Sequence, residues 1–92
     1  VQKAIFSIGA NNESGMLERD AAESVLASFF DGFSAYEITG FWKGQRERTL
    51  RVEVVTDATQ ERLQACARKL CAVLRQDAVM LETVSANVQF VS

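Results

Sequence analysis

Hydrophobic spacing along this chain switches repeatedly between the period of a strand and the period of a helix, and that alternation constrains the fold more than any other feature. From Leu17 the apolar positions Ala21, Ala22, Val25, Leu26, Phe29, Phe30 and Phe33 recur at intervals of three and four, predicting an amphipathic helix with one buried face. Asp20 followed by Glu23 fits a capping box that starts this helix, with Glu18 as an earlier alternative, and Gly32 after Asp31 is the expected left-handed residue that ends it. The period then drops to two. Tyr36, Ile38, Gly40 and Trp42 share one phase of Ser34–Gly44, while Glu37, Thr39 and Phe41 share the other. Leu50, Val52 and Val54 alternate with Thr49, Arg51 and Glu53 in Glu47–Val55, and residues 43–46 read as the hairpin turn between two half-buried strands.

A second helix, capped by Asp57 or Thr59, carries Leu63, Cys66, Ala67, Leu70, Cys71 and Leu74 on its apolar stripe and ends at Gln76-Asp77. Residues 3–8 before the first helix read as a first strand and 79–84 after the second as a fourth, and Ala86–Val91 reads as a short fifth strand or an extension. The order is β-α-β-β-α-β. It predicts an α+β, ferredoxin-like single domain over residues 1–92: an antiparallel sheet with both helices on one face. At 92 residues the chain has no room for a second domain. No run of apolar residues is long enough to span a membrane.

Composition removes several chemistries. There is no histidine, so the commonest general base and a leading metal ligand are missing. Cys66 and Cys71 fall about 140° apart around one helix, out of reach of a mutual disulfide. They read as reduced thiols with no neighbouring base, which favours the cytoplasm. A net charge of −2 removes the usual footprint of a nucleic-acid binder, and Glu47 and Glu53 interrupt the one basic cluster, Lys43, Arg46, Arg48 and Arg51. Ser7 and Ser14 have no visible activating partner. No catalytic residue, metal site or cofactor is expected.

Two surfaces remain as candidates for function. With both helices on one face, the other sheet face is expected to present Glu37, Thr39, Phe41, Thr49, Arg51 and Glu53 and to form a homodimer or larger oligomer, or to dock a protein partner. Trp42, sharing the phase of Tyr36 and Ile38, is expected in the core. The second surface is the loop after the first strand. Glu13, Glu18 and Asp20 repel phosphate there, but Asn11, Asn12 and Glu13 could hold an amino-acid-sized ligand, as small regulatory domains of the ACT type do at a similar strand-to-helix loop.

Three stretches carry a further likeness: Phe30–Gly44 with its Gly-Phe-Trp, then Glu47-Arg-Thr-Leu-Arg-Val-Glu-Val54, then Leu74-Arg-Gln-Asp-Ala-Val-Met-Leu81. Together they resemble uncharacterised small proteins of bacteria, phages and mobile elements. The resemblance implies an α+β fold close to the one above and no known activity. The first strand and loop match it less well. The reading is of a non-enzymatic interaction module, with an inhibitor of a host system as one version and a metabolite-sensing domain as the alternative.

Overall fold

A computed structural model describes residues 1–92. In chain order the elements are β1 (Gln2–Gly9), α1 (Arg19–Phe29), β2 (Ser34–Trp42), β3 (Gln45–Thr56), α2 (Gln60–Leu74) and β4 (Met80–Ser85). The sheet order is β2-β3-β1-β4, and every neighbouring pair is antiparallel. Each helix therefore links two strands separated by one strand of the other half, which is the split βαβ topology expected of a ferredoxin-like fold.

Fourteen buried residues fill the space between helices and sheet. Ala4, Phe6 and Ile8 of β1 and Leu50, Val52 and Val54 of β3 form the sheet side of that core. Leu26 of α1 and Leu63 and Leu70 of α2 are fully buried opposite them, and Phe6 and Phe30 meet as tilted rings 6.2 Å apart. The periodicity of three and four thus does in three dimensions what it implies in sequence: it turns one stripe of each helix onto the central strands.

The helix ends differ in detail from expectation. The Asp20–Glu23 capping box is not used: α1 starts at Arg19, and Glu18 stands at its N-cap without a side-chain capping bond. Glu23 instead receives Arg19 Nε at 3.2 Å, and Arg19 Nη2 reaches the Ala35 carbonyl of β2 at 3.0 Å. Gly32 is not left-handed either. The chain leaves α1 through an extended Phe30, whose ring stays in the core, so the helix stops before the glycine is reached. Of the two caps considered for α2, Thr59 acts, accepting from the Arg62 backbone N–H at 3.2 Å. The C-terminal cap is Arg75, a non-glycine residue held left-handed at φ 54°.

The hairpin turn is tighter than residues 43–46. Lys43 (φ 49°) and Gly44 (φ 76°) alone form it, both with positive φ, as a two-residue type I′ turn requires. β2 and β3 therefore run out to Trp42 and Gln45. At the other end the expected fifth strand does not form. β4 pairs with β1 up to Gln2↔Ser85. One bond, Ala86 N–H to the Val1 carbonyl at 3.4 Å, continues the ladder, and residues 86–92 carry no strand.

Candidate functional site

The face away from the helices is built by the alternate residues of all four strands. Across the central pair and the β4 edge, Lys3 lies opposite Val55 and Val84, Ile5 opposite Glu53 and Glu82, and Ser7 opposite Arg51 and Met80. On the other side Tyr36 faces Arg51 and Ile38 faces Thr49. Ile5 is only 7% exposed although no layer covers it, so its neighbours' side chains close over it. The Tyr36 hydroxyl donates to Glu53, and Lys3 Nζ pairs with the same carboxylate at 3.0 Å. The Tyr36 bond first, and the Lys3 ammonium next, hold the Glu53 carboxyl below the usual glutamate range, while that bond raises the pKa of Tyr36. Around this polar centre, Tyr36, Val55, Met80 and Val84 remain exposed.

This arrangement corrects the expected face. Of the six residues assigned to it, only Thr49, Arg51 and Glu53 lie there. Glu37, Thr39 and Phe41 pair with Leu50, Arg48 and Arg46 and so share the helix side of the sheet. The helices reach only the base of β2, where Ala35 packs against the core. Beyond it the hairpin projects free, so polar residues sit on the helix side without being buried. There Arg48 Nη2 contacts both Glu37 carboxylate oxygens at 3.0 Å, and the Arg46 guanidinium stands 5.7 Å from the Phe41 ring. Trp42 is not in the core. It has the phase of Tyr36 and Ile38, but that phase belongs to the open face, and the indole is 67% exposed at the hairpin tip. Thr49, though on the open face, is buried because Gly40 lets it fold over: a Cβ on Gly40 would stand 2.6 Å from Thr49 Oγ1.

The three loop residues are placed differently. Asn11 builds the loop itself, its Oδ1 accepting the N–H groups of Glu13 at 2.9 Å and Ser14 at 3.1 Å, and its Nδ2 reaching Glu18. Asn12 alone of the three lines a cleft, about 420 Å³ in volume, shared with Trp42 and Lys43 of the hairpin and with Gln76 and Asp77 after α2. Sequence reading missed Ser7 and the α2–β4 connection as part of this surface. Nothing in the local pattern marks them, since they meet Asn12 only through the sheet order.

Cys66 is wholly buried, and burial pushes its thiol up to about 11. Cys71 is half-buried, and both thiols are free. No group of three or more Cys, Asp or Glu side chains converges as a metal site. No helix is long and apolar enough to cross a membrane.

No protein-family model matches the chain, and no curated protein does. Solved structures do. An uncharacterised DUF3240 family protein from Shewanella baltica OS155 superposes with a TM-score of 0.68 at 16% identity, over 99% of this chain and 96% of that one. A mutant of CutA1 from Pyrococcus horikoshii OT3 gives 0.58 at 7% identity, over 98% and 87% of the two chains. The PII-like protein CutA from Nostoc sp. PCC 7120, in apo form, gives 0.51 at 11% identity, over 95% and 82%. At these identities the likeness is one of fold, and the fold is ferredoxin-like.

Proposed function

We propose that this chain is a non-enzymatic interaction module of the cytoplasm that self-associates, as a dimer or larger oligomer, through its uncovered sheet face. The observation that carries the reading is the composition of that face: Tyr36, Val55, Met80 and Val84 stand exposed around a satisfied Tyr36–Glu53–Lys3 network. An apolar rim on a sheet that no second layer covers is the kind of surface that a partner buries. Because the Glu53 charge already has its partners within the chain, covering the network does not strand a carboxylate. The resemblance to small phage and mobile-element proteins supports a version in which the same face docks a component of a host system and inhibits it.

Sedimentation equilibrium tests the reading. At micromolar concentration the parent is expected at a multiple of 10.2 kDa, and Val84→Glu, which places a charge on the apolar rim, at the single-chain mass. A parent at the single-chain mass removes self-association.

A further inference from the structure

Where the uncovered face meets the hairpin tip, three stretches distant in sequence enclose the cleft of about 420 Å³: the Asn12 loop, the tip from Trp42 to Glu47, and the connection from Gln76 into β4. Ser7 contributes to its lining from β1. The Ser7 Oγ is buried without a hydrogen-bond partner, and no other buried side-chain oxygen or nitrogen in the molecule is left so. An orphaned hydroxyl of this kind calls for an explanation.

Apolar side chains, Trp42, Ala78, Val79 and Met80, share the rest of the lining with acceptor-bearing ones, Asn12, Glu47, Gln76 and Asp77. Glu47 and Asp77 have no ion-pair partner within the chain. Gln76 gives its Nε2 to the Ala10 carbonyl at 3.3 Å, which leaves its Oε1 as an acceptor. Glu47 Oε1 and Gln76 Oε1 converge over Gly9, 3.4 and 3.5 Å from where a Cβ on that glycine would stand. Lys43, the one cation of the lining, is also without a carboxylate; its ammonium stands 5.8 Å from the centre of the Trp42 ring. Two carboxylates against one ammonium leave the lining net negative, which disfavours phosphate and favours an organic cation.

We propose that this cleft binds a small ammonium-bearing metabolite, an α-amino acid or a short diamine. The three N–H donors of an ammonium match the acceptors of Glu47, Gln76 and Asp77. The exposed indole of Trp42 covers the ligand's carbon skeleton or the cation itself. Lys43 stands ready for the carboxylate that an amino acid has and a diamine lacks. The site goes beyond the self-association reading and does not depend on it.

Trp42 is the only tryptophan in the chain, so its fluorescence reports the cleft directly. The titrants are the common L-amino acids, putrescine, the N-acetyl derivative of whichever amino acid responds, inorganic phosphate and calcium chloride. At least one amino acid or putrescine is expected to give a saturable change with a dissociation constant below about 1 mM. N-acetylation abolishes an amino acid's response, and Glu47→Gln and Asp77→Asn each weaken binding by about tenfold or more. Lys43→Gln weakens an amino acid and spares putrescine, which separates the two sources. Glu61→Gln, on the exposed first turn of α2, binds as the parent does. The proposal is overturned if no ammonium compound responds up to about 10 mM, if phosphate or calcium saturates the signal instead, or if both carboxylate variants bind like the parent.

Discussion

Glu53 is held from two sides, by the Tyr36 hydroxyl and by the Lys3 ammonium, and the hydroxyl is the larger influence on its titration. A carboxyl held below its ordinary value of 4.5 stabilises the folded chain above that pH, and the contribution is lost as the pH falls through the lowered value. Tyr36→Phe removes the larger influence. The Glu53 midpoint, followed by NMR of its side-chain carboxyl, is expected to rise toward 4.5, and the variant loses less stability than the parent on acidification below that pH. An unchanged midpoint would assign the whole effect to Lys3. Gly40 illustrates a different constraint at the same scale. Gly40→Ala forces Thr49 out of its present rotamer, because the new Cβ meets Thr49 Oγ1 at 2.6 Å. A displaced rotamer costs roughly 0.5–1.5 kcal/mol. In Thr49→Ala the clash has no second party, so the added cost of Gly40→Ala should fall in that background. Denaturation of the four members of this double-mutant cycle measures the difference.

Among the elements, α2 shows most directly what a cap is worth. Its last turn closes with the Gln76 N–H donating to the Cys71 carbonyl at 3.0 Å, a geometry that places Arg75 in the left-handed region at φ 54°. A side chain there costs about 1 kcal/mol that glycine avoids, so Arg75→Gly is expected to raise stability by about that amount in chemical denaturation. The helices themselves were readable from sequence because their stripes face a continuous sheet. Leu26 and Leu70, at the centres of those stripes, are fully buried, and truncating either to Ala should cost about 2–5 kcal/mol. The strand β2 was not readable in the same way. Its two phases are Tyr36, Ile38 and Trp42 against Glu37, Thr39 and Phe41, and hydrophobicity assigns the first to the core. The register assigns it to the open face. Burial rewards an apolar phase only where a second layer exists, and α1 and α2 end before the hairpin does. Sequence periodicity reports which residues share a face, but the reach of the helices decides what each face meets. The cleft was invisible for a related reason: Ser7, Asn12, Trp42 and Gln76 come from four stretches of the chain, and only the order β2-β3-β1-β4 and its loops bring them together.

At the scale of the whole molecule, the principal extents of 42 × 22 × 22 Å describe an elongated body. The β2–β3 hairpin projects past the helices and offers surfaces on both sides. One carries Phe41 under Arg46 and the Glu37–Arg48 pair; the other carries Ile38 and Trp42 and continues into the open face. These two sides make different predictions for assembly. Phe41 is 69% exposed and apolar, so exposure alone nominates it for an interface as readily as it does Val84 at 46%. Continuity does not. Val84 sits opposite Lys3, beside the Tyr36–Glu53–Lys3 network, whereas Phe41 is isolated on the far side of the hairpin with charged neighbours. A contact that buries the open face therefore covers Ile38 and Val84 and leaves Phe41 in water, where a lone exposed aromatic is tolerated. Sedimentation equilibrium on Ile38→Glu and Phe41→Glu, alongside the parent, separates the alternatives. Ile38→Glu is expected to shift the mass toward 10.2 kDa, and Phe41→Glu to sediment as the parent does. The reverse pattern would move the interface to the helix side of the hairpin, with Arg46 and the Glu37–Arg48 pair at its centre.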